Sequence, residues 1–206
     1  MDGKPMTTKV YENIYSDIIN GVITTNDILS EGRLAEKYRV SRAPVREALI
    51  SLCNEGLLQS IPRTGYKVMH ILPREAEEMI ELRRVLELHL LNASFDHLTQ
   101  EDIAALQTVH LDNQKEEALK TRVQDHWERN MRFHLTLAEM GGNGRMKDTL
   151  EKTLLDCARA STQYFLGSRN HQTQDDLHGP LLDALLSKDK PRALSILEKD
   201  IRALIY

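Results

Sequence analysis

The segment Leu34–Leu57, LAEKYRVSRAPVREALISLCNEGL, constrains the fold of this chain more than any other stretch. It reads as two short helices joined by a tight turn. Ser41 is placed to cap the second helix, its hydroxyl accepting from a free N–H of the first turn. Pro44 falls within that first turn, where a missing N–H costs little. Val45, Ala48, Leu49 and Leu52 follow at i, i+3, i+4 and i+7 and make one buried stripe. Arg42 and Arg46 stand one turn apart and off the stripe, so both are expected to point outward near the helix N-terminus. A recognition helix presents its N-terminal side chains to the major groove in this way. The planar fork of arginine suits guanine O6/N7 and also phosphate.

A hairpin follows. Leu57–Ile61 is short and mostly apolar, Pro62-Arg63-Thr64-Gly65 is a turn with a basic tip, and Tyr66–Met69 alternates as a strand does. An earlier helix is expected over about Thr8–Asn20, with Val10, Ile14 and Ile18 inward, and Ser30 is expected to cap the next one. Helix, helix–turn–helix and a two-stranded wing carrying Arg63 and Lys67 make a winged helix.

The runs SRAPVREAL (Ser41–Leu49), NEGLL (Asn54–Leu58) and PRTGYKV (Pro62–Val68) resemble the DNA-binding domain of GntR-type bacterial transcription regulators. The resemblance covers about Val10–Val68. It implies that Ser41, Arg42, Ala43 and Arg46, with Arg63, Thr64 and Gly65 of the wing tip, touch DNA. The family usually has an acidic–Arg pair before the Leu-Ala of the second helix. Here Gly32 follows Glu31 and the arginine stands one place later, as Arg33, which joins Lys67 among the expected DNA contacts.

The net charge of −4 does not exclude a nucleic-acid partner once its distribution is considered. Residues 1–72 hold 9 Lys/Arg against 8 Asp/Glu, and residues 73–206 hold 18 against 23. Between Arg33 and Lys67 there are 7 basic and 3 acidic residues. A small basic face on an acidic molecule would steer DNA to one end. No apolar run approaches the roughly 18 residues that suggest a membrane span. The N-terminal residues lack a signal-peptide core, and Cys53 and Cys157 read as buried free thiols, so a cytoplasmic protein is expected.

Composition shifts at Ile71-Leu72-Pro73, which divides the chain into a winged helix–turn–helix domain, 1–72, and a second domain, 73–206. The second reads as an all-α six-helix bundle, making the protein mainly α. Helices are expected near 74–97, 99–120, 121–140, 144–167, 173–187 and 190–206, with Thr99/Asp102, Gly141–Gly144 and Pro191 as boundary signals.

Asn130 and His134 share one helix face, His178 lies on the fifth helix of this domain and Asp200 on the last. Spacing alone leaves these four as either metal ligands or satisfied polar core residues. His89, His97, His110, His126 and His171 show no shared geometry. ELRRVLE (Glu81–Glu87), RFHLTLAEMGGN (Arg132–Asn143), HGPLLDAL (His178–Leu185) and DKPRALSILEKD (Asp189–Asp200) resemble the FadR C-terminal domain, an effector module of one GntR subfamily, in its shorter six-helix form. Many such modules hold a divalent metal with one Asp and three His. Asn130 stands where the Asp is usual, and Asp200 where the last His is usual. The resemblance therefore implies a metal set of Asn130, His134, His178 and Asp200, harder than usual, for which zinc, nickel and manganese are the candidates. It also implies a small carboxylic or sugar acid effector, with Arg83 as its carboxylate partner. The alternative for Arg83 is a solvated i,i+4 pair with Glu87.

The expectation is a ligand-responsive, non-enzymatic transcription regulator that binds palindromic operator DNA as a homodimer. Two rivals remain at this stage. One is the same regulator with a metal-free apolar or acyl pocket. The other is a metal-dependent enzyme with a DNA-binding head.

Overall fold

The computed structural model describes residues 4–117, 123–165 and 177–202. The chain divides into two compact units, Met1–Ile71 and Leu72–Tyr206.

In the first unit, α1 (Met6–Ile19) buries Val10, Ile14, Ile18 and Ile19. A two-residue strand β1 (Ile28–Leu29) precedes α2 (Glu31–Tyr38). Ser30 caps α2 by accepting from the Arg33 N–H at 3.4 Å, and Arg39, left-handed at φ 55°, ends it. Helix α3 (Arg42–Asn54) buries Val45, Ala48, Leu49 and Leu52, the stripe expected from the spacing. Ser41 holds the N-cap position of α3 but its side chain makes no capping bond. The reason lies in the sequence. A cap side chain takes the N–H of the second or third helical residue; Pro44 deprives it of the third, and the remaining Ala43 N–H is not taken.

Strands β2 (Leu58–Ile61) and β3 (Gly65–Val68) form the wing. The sheet has three strands rather than the expected two, in the order β1-β3-β2, all pairs antiparallel. Ile28 faces Lys67 and Leu29 faces Tyr66 across the added pair. Gly65 makes this closure possible. Its φ is 137°, and a Cβ there would lie 2.1 Å from the Leu29 carbonyl oxygen. Gly65→Ala is therefore expected to destabilise this unit by about 1–3 kcal/mol, the usual cost of a strained backbone position. Urea unfolding of the full chain, followed by tyrosine signals of this unit, checks it; a loss within error would mean that β1 gives way freely.

The second unit begins with α4 (Pro73–Ser94), where Pro73 occupies the first turn and the Glu75 carboxylate accepts the Leu72 N–H at 2.6 Å. A 3₁₀ turn (Phe95–His97) leads to α5 (Gln100–Glu117). Thr99 and Asp102 cap α5 reciprocally, at 2.9 Å and 3.1 Å. Helices α6 (Val123–Glu139), α7 (Gly144–Phe165), α8 (His178–Leu186) and α9 (Lys190–Arg202) follow. The expected helix ends at 118–122, 166–167, 173–176 and 203–206, and His171, lie outside the described residues.

The apolar core of this unit comes in two main parts. One gathers Leu91, Phe95, Leu106, Phe133, Leu181, Leu197 and Ile201, and the other Leu86, Leu90, Ala138, Leu150 and Leu154. Buried polar side chains, among them Arg83, Glu87, Asn130 and His134, accompany them. Both cysteines are free thiols. Cys157 is buried, which pushes its pKa up to about 11, whereas Cys53 is only partly buried. Among the described residues no helix is long and apolar enough to cross a membrane.

Candidate functional site

In the first unit the start of α3, the start of α2 and the wing carry the residues expected to meet DNA. Arg33, Ser41, Arg42, Ala43, Arg46, Arg63, Thr64 and Lys67 are exposed, and Gly65 is half-buried. Arg63 is left-handed at φ 62°, at the tip of the turn. Arg46 is exposed but not free. Its Nε donates to Glu31 Oε1 at 2.8 Å and its Nη2 to Oε2 at 2.7 Å. The pKa of Glu31 is lowered chiefly by the hydrogen bond from Arg46, with a small contribution from the Tyr66 hydroxyl. The Arg42 guanidinium lies over Gly32, whose added Cβ would stand 3.6 Å from Nη2.

In the second unit a charged cluster lies deep among the helices. The inward stripe of α4 includes Arg83, Leu86, Glu87, Leu90 and Leu91, so two of its buried positions are ionic. Arg83 is fully buried and donates from Nε to Glu87 Oε1 at 2.5 Å. The reading of Arg83 as a solvated arginine is thus overturned, although its i,i+4 pair with Glu87 exists. Helix α6 brings in His134, also fully buried. Its Nδ1 lies 2.5 Å from Glu87 Oε2 and its Nε2 lies 2.8 Å from Arg83 Nη2. Asp200 on α9 approaches the same Nε2 at 3.0 Å and Arg83 Nη2 at 3.8 Å. His178, at the start of α8, puts its Nε2 3.4 Å from that of His134.

Of the four residues expected to bind metal, His134, His178 and Asp200 converge, with one ligand atom from each within 4.8 Å of the others. Asn130 is buried one turn before His134 and its Nδ2 has no hydrogen-bond partner among the described residues. Among the described residues its side chain makes no hydrogen bond to the other three. Arg83 Nη1 is likewise buried without a partner among the described residues.

Charge balance follows from these distances. Burial would raise the pKa of Asp200, but His134, then His178 and Arg83, hold its carboxyl well below the usual range. Burial acts the same way on Glu87 and is overcome by Arg83 and His134, so Glu87 is also ionised. Burial disfavours a charged His134, yet Glu87 and Asp200 prevail and raise its proton affinity. Two proton arrangements suit these groups. In the neutral ring, Nδ1–H donates to Glu87 and Nε2 accepts from Arg83. In the charged ring, Nε2–H turns to Asp200.

Sequence reasoning missed two participants. Glu87 fixes both Arg83 and His134, and the available signal was its place on the apolar stripe of α4, one residue after Leu86. His110 on α5 lies edge-on to His178 at 6.3 Å between ring centroids, while Phe133 stacks on His178 at 3.9 Å. Its i+3 partner Asn113 is buried, donating to the Arg129 carbonyl at 2.9 Å, so that face of α5 turns inward.

The family described as "Bacterial regulatory proteins, gntR family" matches residues 6–68, and the FCD domain matches residues 78–203. The HTH-type transcriptional regulator YdhC of Bacillus subtilis is 26% identical over 147 residues, 71% of this chain and 66% of that protein. The HTH-type transcriptional repressor RspR of Escherichia coli is 26% identical over 148 residues, 72% of this chain and 64% of the repressor. The chain thus spans just under two thirds of these relatives. Over a shorter stretch of 70 residues, 34% of this chain and 28% of the relative, it is 40% identical to a gluconate operon transcriptional repressor of Bacillus licheniformis. Among solved structures, E. coli McbR/YncC superposes with a TM-score of 0.77 at 22% identity, covering 98% of this chain and 96% of that one. A GntR regulator from Rhodococcus superposes at 0.72 with 20% identity, covering 96% and 94%.

Proposed function

The chain belongs to the GntR family of bacterial regulatory proteins and carries an FCD domain, and from that premise we propose a cytoplasmic homodimeric regulator controlled by a small carboxylic or sugar acid. DNA binding and transcription regulation come with the family. Two-fold symmetry of the dimer would place two winged helices on the half-sites of a palindromic operator. The proposed DNA contacts are Arg33, Ser41, Arg42, Ala43, Arg46, Arg63, Thr64, Gly65 and Lys67. The relatives named here are regulators, and the chain is read as a regulator rather than an enzyme.

One observation carries the effector reading: a fully buried arginine, Arg83, with an unpartnered Nη1 beside the convergent donors His134, His178 and Asp200. A buried N–H without a partner costs free energy until something accepts it, and a carboxylate suits a guanidinium fork. Asn130, one turn before His134, is also buried with an unpartnered Nδ2 among the described residues, which favours a polar effector over an apolar or acyl one. Differential affinity of the ligand for two placements of the DNA-binding units would make the response allosteric.

The donor set fits a divalent cation. His134 and His178 would supply nitrogen, Asp200 an anionic oxygen and Asn130 an amide oxygen, a mixture open to zinc, nickel or manganese. The cation would supply a fixed positive charge for the effector's carboxylate. A second reading, a metal-free site, is favoured by the 2.8 Å contact of Arg83 Nη2 with His134 Nε2, because the guanidinium then takes the lone pair a metal needs. Calorimetry of the metal-stripped full chain with manganese, nickel and zinc separates the two. The metal-assisted reading expects binding by wild type that is lost in His134→Ala. Absence of binding by wild type would leave the metal-free site.

A further inference from the structure

We propose that Glu31 sets the base preference of the recognition helix by holding Arg46 as a reader of guanine and withholding it from phosphate. The inference rests on the reading that the start of α3 meets base edges. It begins with how the guanidinium is shared. Glu31 takes Nε and Nη2 of Arg46 in a two-bond pair at 2.8 Å and 2.7 Å. These form the side-on edge of the fork. The end-on edge, Nη1 with the second hydrogen of Nη2, stays outside the pair, and the Arg46 side chain remains 60% exposed. Two parallel N–H groups on that edge match guanine O6 and N7.

Glu31 is itself held. It lies in the first turn of α2 and its side chain is only 23% exposed. A rigid carboxylate fixes the plane of the guanidinium that it grips. Two elements of the unit, α2 and α3, therefore determine where the end-on edge of Arg46 lies. The pair also cancels charge. A guanidinium matched by a carboxylate has little net charge to offer a phosphate, but it keeps its directional donors. Arg42 stands differently. It lies over Gly32 with no hydrogen-bonded acid among the described contacts, within the field of the same carboxylate. Gly32 provides the flat surface on which that guanidinium lies. Glu31 is thus a positioning residue acting through Arg46, and a negative charge kept on a DNA-facing surface because direction matters more there than attraction.

This assignment predicts opposite signs in two readouts. The full chain is used to select sites from a randomised duplex library, and affinities are then measured on a selected and a random duplex over a range of salt. Glu31→Gln removes a negative charge, so random-duplex affinity is expected to rise several-fold. The same change frees the fork, and preference at one guanine per half-site is expected to fall by about tenfold, the worth of one good bidentate contact. Glu31→Asp keeps the charge but is too short to grip both nitrogens, so it should lose the preference without the gain on random DNA. Arg46→Ala should lose the same preference and leave the salt slope nearly unchanged, whereas Lys67→Ala should reduce that slope by about one. If Arg46→Ala loses the guanine preference and both Glu31 variants keep it, the positioning role is overturned. If Arg46→Ala itself keeps the preference, the reading of Arg46 as a base contact fails, and the role of Glu31 fails with it.

Discussion

Arg83→Ala is expected to destabilise the helical unit by about 3–5 kcal/mol, the usual result of removing one partner of a buried ion pair. The loss comes less from the missing attraction than from what remains. Glu87 is 3% exposed and would keep its charge with only His134 to face it. Asp200 would lose a cation 3.8 Å away. A double replacement, Arg83→Met with Glu87→Leu, should recover most of the stability, because an apolar pair of similar volume often matches or exceeds a buried ion pair. The measurement is urea unfolding followed by fluorescence of Trp127, the one tryptophan of the chain, which is buried in this unit. A loss below about 1 kcal/mol, typical of exposed pairs, would show that water reaches Arg83 and Glu87.

Glu87→Gln is expected to weaken divalent metal binding by about 10–100-fold, the range found when the outer partner of a metal-bound histidine is changed. Glu87 accepts from His134 Nδ1 and so directs Nε2 toward His178 and Asp200. Its charge also makes the ring a better base, for a proton as for a metal. The pH dependence has a definite sign. Protons compete with metal for the imidazole, and the His134 pKa lies above the ordinary value of 6.5. Binding should therefore weaken as pH falls, starting already above pH 6.5, and the fall should start at lower pH in Glu87→Gln. Calorimetry with zinc at several pH values between about 6 and 8 would detect this. Equal metal affinity in wild type and variant would show that Glu87 serves Arg83 alone.

The helix–turn–helix was legible because its information is local. Val45, Ala48, Leu49 and Leu52 repeat at helical spacing, and all four are buried. The helices α4–α9, six among the described residues, were legible for the same reason. Strand β1 was not, because two residues cannot display an alternation and its existence depends on β3, more than 30 residues later. The capping bond of Ser41 was expected from the preference of serine for caps, without weighing that Pro44 removes one of the two N–H groups such a bond can use. The pairing of Arg83 with Glu87 was visible as i,i+4 spacing, but such a pair has the same spacing on a wet face as on a buried one. Only its alignment with Leu86 and Leu90 separates the two. The meeting of His134, His178 and Asp200 comes from three helices, α6, α8 and α9, and no single periodicity contains it.

Gly65 also limits what can be exchanged in this molecule. Its missing side chain admits the Leu29 carbonyl, so β3 is bound on both edges and the wing is not a detachable hairpin. Residues 62–64 at the tip are exposed and stand outside the strand registers, tied to β2 only by the turn bond from the Thr64 N–H to the Ile61 carbonyl. A chimaera meant to acquire another regulator's operator preference would accept foreign residues at the tip. A whole grafted wing would dock only if it brought glycine at position 65 and an edge able to receive Ile28 and Leu29.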